Sequence, residues 1–300
     1  MGDPHLHRSQ ARRVAVSRSL TRRGALAGLA ALAASPAFAR PLDEATADGT
    51  LRVALYAENA PFSEMRDRQP VGIDVDVARA LAEALKLKLD LRLVDAGENV
   101  DGDFRLNLWK GDLAGSKLAD LMLHVPNDKL LGIRNEQVFL VRPYFEQRLA
   151  FAWARDKMEG FSSFPDIEEN QIAVEGASAS DLQILMAENG RYRNNLKHFR
   201  NFDEAAKAFL SGETAILAGT RPAIEAALFA AHVGPDRFPM VEIALGGIVK
   251  TNWELGGAVR SDSRDLGYAV GEALGAMTED GRLKAICERY GVTYAAPKGF

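Results

Sequence analysis

The chain has 300 residues, of which 47% are hydrophobic, and this length exceeds that of one typical domain. Its formal charge is -4 at pH 7, but residues 1–39 hold six Lys/Arg and one Asp, so the remaining chain carries -9. That acidic remainder has no basic runs, which argues against nucleic acid as a partner and against peripheral binding to anionic lipid.

Residues 1–39 have the three parts of a signal peptide. A basic segment with Arg22 and Arg23 precedes a run rich in Gly and Ala, and the sequence from Ala37 to Ala39 is an Ala-x-Ala cleavage site. The adjacent arginines are typical of the twin-arginine route, although Sec signals also carry paired arginines. The apolar run is short of the ~20 residues of a membrane span. We therefore expect export, cleavage after Ala39, and a periplasmic protein without stable membrane insertion.

Residues 50–150 predict a first lobe in which strands alternate with a helix. A strand over 51–55 leads to a helix that is capped by Asp74 or Asp76 and has one apolar face. Further strands are predicted over 87–94, 119–125 and 149–154.

The same pattern restarts in residues 151–245, which predict a second lobe. Its strands are predicted over 172–174 and 214–218, and its helices over 181–189, 202–210 and 221–231. Residues 246–300, with a strand over 255–260 and helices over 264–277 and 281–290, look like a return to the first lobe. The predicted class is therefore α/β with two lobes.

Five short motifs follow one another along this pattern. They are Ala60-Pro61-Phe62-Ser63, Gly72-Ile73-Asp74-Val75-Asp76, Pro143-Tyr144-Phe145, Val174-Glu175-Gly176-Ala177-Ser178 and Gly281-Arg282-Leu283-Lys284-Ala285-Ile286. In order and spacing they resemble the amino-acid-type extracellular solute-binding proteins, family 3, across nearly all of residues 50–292. The resemblance implies the type II periplasmic binding fold, with a ligand between two lobes that are joined by two crossing strands. The outward crossing would be 149–154, and the return 243–251.

The resemblance also implies a carboxylate site shared by the two lobes. Arg134 stands nine residues before Pro143, where the family has an Arg whose planar fork of donors clamps a ligand carboxylate. The alternative is a surface arginine in a loose salt bridge. In the second lobe, Ala177, Ser178 and Ala179 stand at the helix start that completes the family's site. Ser178 would add its hydroxyl, although Ser180 is another candidate for the helix cap and either serine could serve only as a cap.

Other positions depart from the family pattern. Gly219, followed by Thr220, stands near the Asp that receives the ammonium group in binders of free amino acids. Without that partner a buried ammonium would be poorly compensated, so an ordinary α-amino acid is a doubtful ligand. Glu58, near Phe62 in the first-lobe ligand loop, and Glu213 are candidate substitutes. We therefore expect a small polar or anionic ligand, in a crevice between Arg134 and Ser178.

Two further candidates lie where the first lobe has been rebuilt. Trp109 would stack on a ligand or cover it, although a tryptophan that bridges loop and core is equally common. His124 would donate to an anion or be a satisfied core residue, and no second His stands at metal-ligand spacing. The segments 107–111 and 120–126 resemble a branch of the family that is associated with quinoprotein alcohol dehydrogenases of methylotrophs.

Three functions are compatible with these features. The first is a monomeric binding component of an ABC importer, which closes around its ligand and delivers it to a membrane permease. The second, implied by the branch resemblance, is an accessory protein of a periplasmic dehydrogenase or its cytochrome. An enzyme is the weakest, because there is no nucleophile with a placed base and no phosphate-binding Gly-rich loop. Glu58 and Glu64 near the mouth are more typical of solvated acids than of an acid and base. No cofactor, metal or catalytic residue is expected, and Cys287 has no second thiol for a disulfide.

Overall fold

The computed structural model describes residues 40–243 and 250–298 of the chain. The predicted signal peptide, with Arg22, Arg23, Ala37 and Ala39, lies outside these residues. Residues 244–249, most of the predicted return crossing, also lie outside them.

The first part of the chain forms strands around one long helix. Its elements are α1 (Leu42–Asp48), β1 (Thr50–Tyr56), β2 (Glu58–Asn59), β3 (Ser63–Arg66), β4 (Gln69–Val71), α2 (Ile73–Ala84), β5 (Lys88–Val94), α3 (Val100–Phe104), a π-helical turn (Arg105–Trp109), β6 (Leu121–Pro126) and α4 (Lys129–Arg134). The predicted cap of α2 is wrong. The helix begins after Gly72, without a side-chain cap, because Asp74 is buried inside its first turn and accepts hydrogen bonds there from Tyr144 and His124.

The middle of the chain begins with one long strand and continues as a second α/β unit. Its elements are β7 (Val138–Trp153), β8 (Ile172–Glu175), α5 (Ala179–Met186), β9 (Leu196–Phe199), α6 (Phe202–Leu210), β10 (Ile216–Thr220), α7 (Arg221–Ala230) and β11 (Met240–Val241), with short 3-10 turns at Phe164–Ile167, Ala187–Gly190 and Arg193–Asn195. The last part consists of β12 (Asn252–Arg260), α8 (Arg264–Glu279) and α9 (Arg282–Arg289).

The principal sheet runs in the order β5-β1-β6-β12-β7-β10-β8-β9, with β11 also paired to β7. Strand β7 is 16 residues long and serves both lobes. Its first part, up to Arg148, pairs antiparallel with β12, whereas residues from Leu149 to Trp153 pair antiparallel with β10. The chain therefore passes from one lobe to the other at Arg148 and Leu149, which we call the hinge.

Each lobe has its own apolar core. In the first lobe, α2, α8 and α9 pack on the sheet around Leu55, Leu81 and Val270. In the second, side chains alternate along β7, as they do in any strand. Phe151 joins a cluster on one face, and Ala150 joins α6 and α7 on the other.

Candidate functional site

A cleft of about 590 Å³ lies between the two lobes. The first lobe contributes the segment that follows β1, strand β7 contributes Gln147 and Leu149, and the second lobe contributes strand ends and helix starts. The lining residues are Ala57, Glu58, Asn59, Ala60, Phe62, Glu64, Met65, Gln147, Leu149, Glu175, Ser178, Ala179, Ser180, Arg200, Asn201, Phe202, Asp203, Ala218, Gly219, Thr220 and Ala223. This position outside the carboxyl ends of β8 and β10 is where α/β sheets commonly bind ligands.

The turn before α5 brings free backbone amides to the cleft. Ser178 caps the helix, since its Oγ accepts a hydrogen bond from the amide of Asp181 at 3.2 Å. The Asp181 carboxylate in turn accepts one from the amide of Ala177 at 2.8 Å. The amides of Ala179 and Ser180, in the first helical turn, have no partner on the described part of the chain. These two amides can therefore receive an anionic group of a ligand.

Acidic side chains dominate the cleft's charge. Glu58, Glu175 and Asp203 line it without a cationic partner among residues 40–243 and 250–298, while Glu64 pairs with Arg66. The pKa of Glu175 is raised above its ordinary value of 4.5, first by burial and then by the charges of Asp203 and Glu58. The cleft thus concentrates negative charge that its other side chains neutralise only in part.

Arg200 is the cation of the lining, and it stands in the loop between β9 and α6. Its guanidinium has no acidic partner on the described part of the chain. Asn201, the next residue, caps α6 by accepting a hydrogen bond from the amide of Glu204 at 3.0 Å. That cap places Arg200 just before the helix and Asp203 in its first turn, so opposite charges stand close together in sequence on this wall.

Two amide side chains of the lining keep a buried atom unpaired. Oε1 of Gln147, next to the hinge, and Nδ2 of Asn59, in the first lobe, have no hydrogen-bond partner within the described ranges. Gln147 is only 4% exposed. Buried polar atoms normally have partners, so an acceptor and a donor left free beside a cleft are available to a ligand.

The ring of Phe202 fills the space above Gly219. A Cβ atom at Gly219 would lie 2.3 Å from Cε2 of Phe202, which is closer than any real contact. An aspartate at this position, as the resemblance would have it, would therefore require the ring to move. The carboxylates present on this wall are those of Glu175 and Asp203.

Six of the residues predicted from the sequence line this cleft. They are Glu58, Phe62, Ser178, Ala179, Gly219 and Thr220. Phe62 is buried, and its ring packs edge-on against Phe145 at 5.4 Å and against His124 at 4.5 Å between centroids. Its position makes it a rigid part of the first-lobe wall.

Arg134 is absent from the lining, contrary to the predicted crevice between Arg134 and Ser178. It is the last residue of the short helix α4, its side chain is 56% exposed, and its Nε lies 3.0 Å from a carboxylate oxygen of Asp101. The structure thus has the surface salt bridge that was the alternative for this residue. Glu213 is likewise absent from the lining, since its carboxylate pairs with Lys197.

Trp109, His124 and Ala177 also lie off the lining. Trp109 ends the π-helical turn and packs against the apolar cluster that includes Leu108. Nδ1 of His124 lies 2.8 Å from the buried Asp74 carboxylate, as expected of a satisfied core histidine. Ala177 has a φ of +60°, and its amide is taken by Asp181.

Five polar side chains that line the cleft were not predicted as ligand partners, namely Asn59, Gln147, Glu175, Arg200 and Asp203. Glu175 directly follows the predicted strand 172–174, and Asp203 is the second residue of the predicted helix 202–210. The rule that ligands gather at the carboxyl ends of strands would have identified Glu175, whereas Asp203 follows the strand Leu196–Phe199, which was not predicted.

No group of three or more His, Cys, Asp or Glu side chains within the described residues could hold a metal ion. Between residues 40 and 298, leaving aside 244–249, no helix combines the length and apolarity that crossing a membrane requires. Cys287 is buried, and burial raises the pKa of its thiol to about 12, which makes it a poor nucleophile at neutral pH.

The chain matches no protein-family model and no curated protein sequence. Solved structures share its fold. An ancestral cationic amino acid solute-binding protein is 24% identical, with 83% of this chain and 98% of that chain covered and a TM-score of 0.66. An amino acid ABC transporter substrate-binding protein from Streptococcus pneumoniae, bound to L-arginine, is 20% identical, with 85% and 99% covered and a TM-score of 0.58. Substrate-binding domain 2 of GlnP from Lactococcus lactis, in its open conformation, is 19% identical, with 81% and 95% covered and a TM-score of 0.58. The predicted two-lobed α/β fold is confirmed.

Proposed function

We propose that the protein is an exported solute-binding protein whose two lobes close around a small ligand that carries a positive charge. The observation that carries this proposal is the presence of Glu58, Glu175 and Asp203 in one cleft without a cationic partner on the described part of the chain. Closing a cleft over unpaired carboxylates is unfavourable, because desolvation and mutual repulsion both oppose their charged forms. A cationic ligand removes this cost. This proposal differs from the sequence-based expectation of a small polar or anionic ligand, which stays a prediction.

The other polar groups of the cleft indicate that the ligand also has an anionic end. The guanidinium of Arg200 and the free amides of Ala179 and Ser180 are donors suited to a carboxylate. Oε1 of Gln147 can accept a hydrogen bond from a ligand N–H group. In this proposal Arg200 of the second lobe has the role that the sequence had given to Arg134.

The structures with the same fold are compatible with such a ligand. One is described as binding cationic amino acids, and another contains L-arginine. We extend their ligand class to this chain as part of the proposal, with a periplasmic location and delivery to an ABC permease. The accessory role beside a quinoprotein dehydrogenase stays a prediction. Recovery of a dehydrogenase or cytochrome with the tagged protein from a periplasmic extract would support it.

Isothermal titration calorimetry on residues 40–300 tests the ligand class. L-arginine, putrescine and L-glutamate supply a cation with a carboxylate, a cation alone, and a net anion. We expect L-arginine to bind most tightly, putrescine more weakly, and L-glutamate not to bind. Tighter binding of L-glutamate than of either cation would contradict the proposal, as would the absence of binding by both cations.

A further inference from the structure

The carboxyl-terminal residues 291–298, which we call the strap, are tied to the first lobe at both ends. Before the strap, Tyr290 donates from its hydroxyl to Asp76 of α2 at 2.8 Å. Within it, the carbonyl of Ala295 accepts a hydrogen bond from the amide of Glu146 on β7 at 2.9 Å. At its end, the amide of Lys298 donates to Glu254 of β12 at 2.7 Å. The strap therefore belongs to the body of the first lobe.

Between these anchors the strap contacts helix α7 of the second lobe. The amide of Thr293 donates to Oε2 of Glu225 at 2.8 Å. The ring of Phe229 packs directly on Gly291, where a Cβ atom would lie only 2.2 Å from Cγ of the ring. The φ of Gly291 is +71°, which also favours glycine. Ala226, on the same helix, packs against the apolar core of the first lobe. These contacts join the two lobes.

The contacts lie on the side of the hinge opposite to the cleft. Gln147 and Leu149 line the cleft, so the alternation of a strand directs Glu146 and Arg148 the other way. Helix α7 reaches the cleft with Ala223 in its first turn, whereas Ile224 and Leu228 pack with Ala150 on that same opposite face. Among the described residues, no hydrogen bond or ion pair links the first-lobe cleft segment 57–65 to the second lobe.

We propose that the contact between the strap and α7 opposes closure of the lobes and so sets the affinity for the ligand. A rotation about the hinge that narrows the cleft moves apart the elements on the opposite side. Ligand binding must then release Thr293 from Glu225 and Gly291 from Phe229. The apparent affinity for a ligand is proportional to the fraction of molecules whose lobes are able to close. If the strap lowers that fraction by some factor, it weakens ligand binding by the same factor. This inference rests on the proposed function, because it requires lobes that close around a ligand.

Two substitutions weaken the contact from its two sides. Phe229→Ala removes the ring over Gly291, and Thr293→Pro removes the amide that donates to Glu225. We expect each to tighten L-arginine binding about fivefold in calorimetry on residues 40–300. Thr293→Ala keeps the amide and is the matched control for the second change. Met186→Ala removes another exposed apolar side chain of the second lobe and is the control for the first.

A measurement without ligand separates the strap from the ligand proposal. Spin labels on Leu113→Cys and Glu159→Cys report the distance between the lobes, and the native Cys287 is buried. We expect Phe229→Ala and Thr293→Pro to shift the ligand-free distance distribution toward shorter values, and the controls to leave it unchanged. An unchanged distribution in both variants would overturn the strap proposal. If neither L-arginine nor putrescine binds the parent protein, the ligand proposal fails, but these distances still decide the role of the strap.

Discussion

The charge of the cleft can be tested by replacing Glu175 with its neutral isostere. Glu175 is half-buried, and burial together with Asp203 and Glu58 raises its pKa. A ligand cation about 5 Å from this carboxylate would gain roughly 3 kcal/mol at an effective dielectric constant near 20. Two effects offset part of this gain: Glu175→Gln also removes the repulsion between Glu175 and its acidic neighbours, and water in the open cleft screens the charges. The net loss of binding free energy on Glu175→Gln is therefore about 1.4 kcal/mol. We therefore expect putrescine and L-arginine to bind about tenfold more weakly.

Calorimetry on residues 40–300 measures this change, and Glu213→Gln supplies the matched control. Glu213 is a second-lobe carboxylate outside the cleft, and it pairs with Lys197 on the surface. Surface ion pairs contribute little, so the control should bind both cations like the parent protein. Equal or tighter binding of putrescine by Glu175→Gln would refute the electrostatic reasoning. An equal loss in both variants would refute the placement of the effect in the cleft.

Three other predictions follow from the same geometry. Because the pKa of Glu175 is raised, the affinity for cations should increase as pH rises above 4.5. Over the same range the unfolding free energy of the ligand-free protein should fall, because the folded state keeps the Glu175 proton to higher pH than the unfolded state does. Glu175→Gln should flatten the first profile in calorimetry and the second in chemical denaturation. Arg200→Gln should weaken L-arginine about tenfold in the same titrations, because the ligand carboxylate loses its cationic partner, and it should not weaken putrescine, which the Arg200 charge repels. An equal loss for both ligands would contradict its role as the anion partner. Arg134→Gln should change neither affinity by more than twofold, because its guanidinium is exposed in a surface ion pair; a loss that is specific to L-arginine would restore it as the clamp.

Local patterns predicted most elements of the fold, and the long crossing strand shows where they stop being sufficient. Helix α6 spans Phe202–Leu210, as its apolar face predicts. Strand β7 spans Val138–Trp153, although the sequence predicted only 149–154. Pro143 interrupts the strand pattern, and the structure accommodates it with a shift in register between β7 and β12 on the outer strand of the first-lobe sheet. Such accommodation depends on the neighbouring strand and is not visible in the segment itself.

The candidate site was predictable where the residues follow a strand closely in sequence, as Glu58 and Phe62 do in the first lobe. In the second lobe, Ser178 and Ala179 reach the cleft because a strand, a turn and a helix start follow one another within a few residues. The first-lobe candidate Arg134 depends on the direction in which α4 leaves the sheet. It depends also on Asp101, which is far away in sequence and holds the guanidinium at the surface. Spacing from a motif carries neither kind of information.

Cleft charge and strap contact should act independently on ligand affinity, because they lie on opposite sides of the hinge. Glu175 lines the cleft and interacts electrostatically with Asp203 and Glu58, whereas Phe229 packs on Gly291 of the strap. Effects of separate sites on a free energy usually add within about 0.5 kcal/mol. The double variant of Glu175→Gln and Phe229→Ala should therefore bind putrescine about twofold more weakly than the parent, since a tenfold loss and a fivefold gain combine. Calorimetry on the parent, the two single variants and the double variant completes a double-mutant cycle, which gives the coupling free energy between the two sites. A coupling larger than about 1 kcal/mol would mean that the strap alters the cleft itself, and that it does more than set the population of closed lobes.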